Sequence, residues 1–211
     1  MKLVINTILV KFCLIAVISC TSILPTQMTP PLSALNMDGI TKENISIGYI
    51  PPSVNEEVTL KKKGYYYYAF STTVKLSPYR DSTRIFKRVL NNIFTKVVRV
   101  KNVKSPFADN EQIKYVVSIK NIKTVTDDPT FDFGLFVHGN DYSQNYAIAF
   151  TCKIVNRANK VVWEKEIIGK GHATENEIRN EAGGNSLAPT RALLAGFQKL
   201  QDELNEAELK K

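Results

Sequence analysis

The sequence predicts an α+β fold, a mainly antiparallel sheet with two amphipathic helices packed on one face. Several segments alternate apolar and polar residues with a period of two, which is typical of strands with one wet face. Two other segments repeat apolar residues three and four positions apart, which is typical of helices with one buried stripe. Runs of strands beside segregated helices favour the α+β class.

The first half of the chain contains three predicted strands. Residues 45–50 alternate and stop at Pro51-Pro52, and residues 65–76 place aromatic, aliphatic and threonine side chains on one face. Residues 97–103 form the third strand, which ends before Ser105-Pro106. Between the first two strands, Lys61-Lys62-Lys63 is expected in an exposed loop.

The first helix is predicted over residues 82–95. Its apolar stripe consists of Ile85, Phe86, Val89, Leu90, Ile93 and Phe94. Two starts are open: Ser77 caps a helix that has Pro78 at its first position, or Asp81 caps it one turn later.

The second half of the chain predicts further strands and a C-terminal helix. Strands are expected over 113–119, 131–137, 146–154 and 161–168, the last two joined as a hairpin by a turn at 156–160. The alternation in 146–154 places Cys152 in the core. The C-terminal helix has Pro189 in its first turn, and its apolar stripe consists of Leu193, Leu194, Phe197, Leu200 and Leu204.

The first nineteen residues have the pattern of a signal sequence. Lys2 and Lys11 precede a seven-residue apolar run from Phe12 to Ile18, and no acid interrupts them. A membrane-spanning helix needs about 20 apolar residues. Extending this segment to that length would place Lys11 near the centre of the bilayer, so a cleaved signal is favoured over a permanent anchor helix.

The residues Val17-Ile18-Ser19-Cys20 resemble a bacterial lipobox. The resemblance implies that Cys20 carries a diacylglyceryl thioether and an N-acyl chain such as palmitate, which anchor the protein to a membrane. Thr21 stands where many lipoproteins retained in the inner membrane have aspartate, which implies the outer membrane. The alternative is that Cys20 is a stray cysteine in an apolar run, as Cys13 is.

Three units follow from these features. Residues 1–19 are the lipoprotein signal peptide, residues 20–42 are a flexible tether that contains three prolines, and residues 43–211 are a single α+β periplasmic domain. Beyond Cys20 the only cysteine is Cys152, so with Cys20 acylated no intramolecular disulfide can form.

The charge of the chain leaves two interpretations open, weak affinity for anionic surfaces of the cell envelope or a basic face that is merely solvated. The formal net charge is +8, and removal of Lys2 and Lys11 with the signal leaves 8 − 2 = +6. A basic protein in the envelope meets lipid phosphates, lipopolysaccharide and peptidoglycan carboxylates, and nucleic acid is not an expected partner.

A candidate ligand-binding strip combines Lys61, Lys62 and Lys63 with Tyr66 and Tyr68. The lysines could meet phosphates or sugar acids, and tyrosines on an exposed sheet face could add apolar contact area with a polar tip. The alternative is a strand whose aromatic side chains are buried on both faces.

The groupings that catalysis or metal binding requires are not apparent in the sequence. The two histidines, His138 and His172, stand apart, and Asp127, Asp128 and Asp132 have turn composition instead of EF-hand spacing. No nucleophile elbow, phosphate-binding glycine loop or dinucleotide fingerprint occurs. The sequence therefore predicts a non-enzymatic protein with no cofactor and no metal.

The order of predicted elements resembles that of small Gram-negative envelope lipoproteins related to the TolB N-terminal domain, to YajG or to the lipopolysaccharide-assembly lipoprotein LptE. The shared features are an early β–α unit, the long hairpin around residues 150–163 and a C-terminal amphipathic helix. The resemblance implies an accessory or scaffold protein with a protein partner in an envelope assembly or transport complex. Two other hypotheses are a binder of lipopolysaccharide or peptidoglycan and a surface-exposed lipoprotein that contacts a host.

Overall fold

A computed structural model describes residues 22–26, 32–52, 58–62, 72–76, 78–108, 110–124, 143–174, 176–177, 187–207 and 209. The strands are β1 (Ser22–Thr26), β2 (Glu43–Ile50), β3 (Val58–Lys62), β4 (Thr72–Leu76), β5 (Phe94–Arg99), β6 (Tyr115–Thr124), β7 (Ser143–Asn156) and β8 (Val161–Thr174). The helices are a 3-10 turn (Leu32–Ala34), α1 (Pro78–Ile93) and α2 (Leu187–Glu206).

The main sheet has five strands in the order β5-β2-β6-β7-β8. The two longest ladders, β6 with β7 and β7 with β8, are antiparallel. The shorter ladders of β2 with β5 and with β6 are parallel, because the chain leaves the sheet through β3, β4 and α1 before it returns. With its two helices this sheet confirms the predicted α+β class.

Both helices pack on the same face of the main sheet. Tyr49 of β2 meets Phe86 of α1 edge to face, with ring centroids 6.0 Å apart. Phe86 lies 6.3 Å from Phe197 of α2, which stacks on Phe150 of β7 at 5.0 Å. This row of rings joins two strands and two helices in one core, and it confirms the predicted placement of the helices.

Helix α2 rests directly on the backbone of β8. A Cβ atom built on Gly171 would lie 2.0 Å from the carbonyl oxygen of Ala188, and one on Gly169 would lie 2.1 Å from that of Ala192. Backbone atoms of a helix cannot move aside as the end of a long side chain can. The two glycines therefore allow an approach that any larger residue would prevent.

The hairpin of β7 and β8 forms as predicted, and its turn has a clear local cause. The Asn156 amide donates to the carbonyl of Lys160 at 3.0 Å, and the Asn156 side-chain oxygen accepts from the amides of Ala158 and Lys160. Asn159 takes a φ of 56°, a left-handed conformation that asparagine tolerates. Cys152 on β7 is fully buried, as the alternation predicts.

Helix α1 starts at Pro78 and ends at Ile93, one turn earlier than predicted at its start and two residues earlier at its end. The start agrees with the alternative that has Pro78 in the first helical position. Phe94, assigned to the apolar stripe of the helix, is instead the first residue of β5 and is buried there. Strand β5 follows α1 directly, so it begins and ends earlier than the strand predicted over 97–103.

The segment that enters the domain is not the flexible tether that was predicted up to residue 42. Leu35 lies in the core with 5% of its surface exposed. Helix α2 holds the backbone around it: Gln198 accepts from the Asn36 amide at 2.7 Å, and Asn205 accepts from the Thr41 amide at 3.3 Å. Residues 32–42 therefore belong to the folded domain.

Replacement of Gly171 by alanine should destabilise the fold. The added methyl group would overlap helix backbone, and relief requires α2 to move off β8, so we expect a loss of about 2–3 kcal/mol in the free energy of unfolding. Urea denaturation would measure it. The matched control is Lys170→Ala, an exposed position on the same strand, which should change the value by less than about 0.5 kcal/mol. Equal stability of the two variants would contradict the close packing.

Candidate functional site

The predicted site residues lie only partly within the structure. Lys61 and Lys62 are the last two residues of β3, so they belong to a strand and not to the exposed loop that was expected. Cys20, Lys63, Tyr66 and Tyr68 lie outside the described residues, as do the predicted strand 131–137 and the aspartates around 127–132. Strand β4, Thr72–Leu76, covers the end of the predicted strand 65–76.

Strand β3 belongs to a three-stranded sheet with the order β1-β4-β3. Strand β1 runs parallel to β4, and β3 runs antiparallel to it. The register places Ser22, Thr72 and Lys62 in one row across the three strands. The next row consists of Ile23, Thr73 and Lys61.

This register brings together two features that are far apart in the sequence. Ser22 is the second residue after Cys20, and it lies two strands away from Lys62, a distance of about 10 Å at the usual strand spacing. The lysines thus lie at the same end of the small sheet as Ser22. We call this end, with Ser22, Thr72, Lys61 and Lys62, the basic end of the small sheet.

Sequence reasoning missed this arrangement because β1 gives almost no signal. Its five residues contain only two aliphatic side chains, Ile23 and Leu24, and Pro25 follows them. A proline lacks the amide that a ladder needs and argues against a strand. The only hint is the pair of aliphatic residues between Cys20 and Pro25.

A buried polar contact joins the two helices. The Asn92 side-chain amide of α1 donates to the Gln201 side-chain oxygen of α2 at 2.7 Å, and Gln201 donates in turn to the carbonyl of Asn36 at 2.6 Å. Gln201 is fully buried and Asn92 is 7% exposed. Because buried polar groups are costly without partners, this chain of bonds fixes both helices and the 32–42 segment in one arrangement.

A second polar cluster joins the end of β8 to helix α2. The Arg191 guanidinium donates to the Glu177 carboxylate at 2.7 Å and to the carbonyl of His172 at 2.7 Å. Glu177 also accepts from the amide and the hydroxyl of Thr174. The Arg191 hydrogen bond first, and then those of Thr174, lower the pKa of Glu177 to about 2. His172 is bonded to Asn145 at 2.9 Å.

The reactive side chains in the core are held in unreactive states. Burial raises the pKa of the Cys152 thiol, so this cysteine stays protonated, and a thiol is a poor nucleophile and metal ligand in that form. Burial also raises the pKa of Tyr146, whose hydroxyl has no hydrogen-bond partner within the described part of the chain. Among the described residues, no three histidine, cysteine or acidic side chains are grouped as a metal site requires.

A cleft of about 230 Å³ lies where β2 and β6 begin. Its lining includes Glu43, Lys114, Tyr115 and Leu209, and the Tyr115 hydroxyl donates to the carbonyl of Leu209 at 2.9 Å. Leu209, which follows α2, lines one side of the cleft. Its contacts attach the end of the chain to the sheet.

Comparisons with known proteins give no family for this chain. No family model matches it, and no curated protein does. Similar solved structures include a "putative lipoprotein" from Caulobacter crescentus CB15, 10% identical, which covers 74% of this chain and 87% of its own with a TM-score of 0.37. Another is a "putative neuraminyllactose-binding hemagglutinin homolog" from Helicobacter pylori, which is 10% identical. The match covers 83% of this chain and 92% of that protein, with a TM-score of 0.42. Likeness at this level assigns no function.

No helix in the described part of the chain is both long and apolar enough to cross a bilayer.

The Glu177 cluster predicts a specific pH dependence of stability. Because the folded-state pKa of about 2 lies below the ordinary value of 4.5, the contribution of the ionised carboxylate is present above pH 4.5 and is lost as the pH falls through about 2. Glu177→Gln should therefore be less stable than wild type at pH 6, with the difference narrowing towards pH 2. Urea unfolding across this range measures it.

The control for that experiment is Glu164→Gln, an exposed glutamate on β8. The difference in stability between Glu164→Gln and wild type should not narrow as the pH falls towards 2. A difference between Glu177→Gln and wild type that stays constant with pH would contradict the role of the ionised carboxylate.

Replacement of Gln201 by methionine should destabilise the domain although it adds apolar surface. The Asn92 amide would lose its partner in a buried position, which costs about 1–3 kcal/mol. Thermal or urea unfolding would detect the loss. Lys199→Met, at an exposed position of the same helix, serves as the control and should be nearly neutral. If Gln201→Met were as stable as wild type, the hydrogen-bonded chain would not be needed to position the helices.

Proposed function

We propose that this chain is a lipid-anchored lipoprotein of the bacterial envelope that acts without catalysis, as an accessory or scaffold subunit of an assembly or transport complex. The observation that carries the proposal is the sequence Val17-Ile18-Ser19-Cys20, which follows a basic, short apolar segment. Acyl chains on Cys20 would hold the protein at the membrane, since each buried methylene contributes about 0.8 kcal/mol. The residue after Cys20 supports the outer membrane, with the domain facing the periplasm.

The folded domain supports a scaffold in two ways. Its polar clusters hold elements together: Asn92 and Gln201 join the helices, and Glu177 and Arg191 join β8 to α2. Its two helices form one layer packed on the sheet that contains the long hairpin, which offers a surface to a protein partner. A binding subunit needs such a surface more than it needs a reactive cleft.

Lipidation is tested by Cys20→Ala with Cys13→Ala as the matched control. In a Gram-negative host, wild type and Cys13→Ala should be cleaved before residue 20, carry the mass of the acyl chains on the new N-terminus and fractionate with membranes. Cys20→Ala should lose the acyl mass and the processing. Mass spectrometry of the N-terminal peptide measures this. A wild-type chain that begins at residue 20 without acyl mass would refute the proposal.

The same strains test the scaffold role. Crosslinking in intact cells should capture an envelope protein with the wild type and with Cys13→Ala, and less of it with Cys20→Ala, because the anchor concentrates the domain at the membrane. A wild-type protein that remains uncrosslinked and is extracted in mild detergent only as a monomer would argue against a scaffold.

A further inference from the structure

We infer that the basic end of the small sheet faces the membrane, and that Lys61 and Lys62 contact the phosphates of anionic phospholipid headgroups there. The inference rests on the proposed acylation of Cys20. It concerns a different property of the protein, the orientation of the domain on the bilayer.

The first step is the covalent reach of the chain. Two residues span at most about 7 Å, so Ser22 cannot lie further than that from an acylated Cys20. The glyceryl group of the lipid sits at the boundary of the acyl chains and the headgroups. Ser22, at the start of β1, is therefore held near headgroup level.

The second step is the register of the small sheet. Ser22, Thr72 and Lys62 share a row, so Lys62 lies about 10 Å from Ser22 across the sheet. The opposite end consists of Thr26, Leu76 and Val58, four residues or about 13 Å further along the strands. Helix α1 begins two residues after Leu76, so the chain continues from the end that is remote from Ser22.

The third step is charge. The fifteen residues of β1, β3 and β4 contain three lysines and no acidic residue. Two of these lysines, Lys61 and Lys62, lie at the basic end. Anionic lipids attract basic side chains only within about a Debye length of the surface. The anchor limits the Lys62 backbone to about 17 Å from Cys20, and an orientation with the basic end towards the bilayer brings both lysines within a Debye length of the headgroups.

Position is tested with two threonines of the small sheet. Thr72 lies at the basic end, and Thr59 lies opposite Lys75, about 10 Å further along the sheet. Each is changed to cysteine in the acylated full chain and labelled with a fluorophore, and the protein is placed in phosphatidylcholine vesicles that carry nitroxide headgroups, with or without phosphatidylglycerol. Acylated Cys20 has no thiol and Cys152 is buried, so unsubstituted protein is the blank.

The expected result is stronger quenching at Thr72→Cys than at Thr59→Cys, with urea midpoints near that of wild type for both. Equal quenching, or stronger quenching at Thr59→Cys, would overturn the membrane-facing orientation. A variant that fails to fold is replaced by Thr73→Cys or Val58→Cys, at the same two ends.

Lipid contact is tested with the paired variant Lys61→Gln and Lys62→Gln in the Thr72→Cys background. Phosphatidylglycerol should increase quenching in the parent, and this increase should be lost in the paired variant and in high salt. The control pair, Lys160→Gln and Lys170→Gln, removes the same charge from exposed positions in the β7–β8 turn and on β8 and should keep the increase. Quenching that does not change with phosphatidylglycerol would overturn the lipid contact of Lys61 and Lys62. Binding to isolated peptidoglycan that depends on these lysines, in a protein that does not respond to phosphatidylglycerol, would overturn it as well.

The mass of the N-terminal peptide separates the two proposals. If Cys20 carries no acyl chain, the lipoprotein proposal fails, and flotation of the unacylated chain with phosphatidylglycerol vesicles still tests the lysines. If Cys20 is acylated and the quenching pattern is absent, the anchor stands and the orientation fails.

Discussion

The arrangement of the domain depends on the direct contact between helix α2 and the backbone of β8. Gly169 and Gly171 on the strand face Ala188, Ala192 and Gly196 on the helix, so two ridges of small residues meet without side chains between them. At this separation Phe197 can stack on Phe150, and the row of rings extends to α1 and β2. A larger residue in either ridge would move the helix away from every one of these partners.

The same contact decides how the chain enters the domain. With α2 fixed, its side chains Gln198, Gln201 and Asn205 are positioned to bond the backbone of residues 36–41. Leu35 then enters the core beside them. The segment after Cys20 is therefore attached twice, once by pairing of β1 with β4 and once by packing of residues 32–42 on α2. Helix α2 buries its apolar side chains in the core, and its polar side chains restrain the N-terminal part of the domain.

The sequence predicted what periodic hydropathy can reveal. The stripes of α1 and α2 apart from Phe94, the hairpin of β7 and β8 and the burial of Cys152 follow from strong repeated signals, and the structure confirms them. Glycine and alanine contribute little to such a pattern, so the small-residue ridges were not foreseen. Strands β1 and β3 have five residues each and pair only through β4, about fifty residues after β1. The position of Lys61 and Lys62 relative to Ser22 follows from that distant pairing, and no local pattern encodes it.

The magnitudes assign different roles to the two proposed membrane contacts. Acyl chains contribute about 0.8 kcal/mol per buried methylene and contain dozens of methylenes, so they determine whether the protein is bound. A lysine near an anionic surface contributes about 1 kcal/mol and is screened by salt, so two lysines cannot anchor a domain. A single acylated residue, however, leaves the attached domain free to tilt and rotate. About 2 kcal/mol from Lys61 and Lys62 would favour one orientation roughly thirtyfold over orientations that lack the contact. On these values the proposed acyl chains would hold the protein on the membrane, and the basic end of the small sheet would determine which surface it presents to a partner.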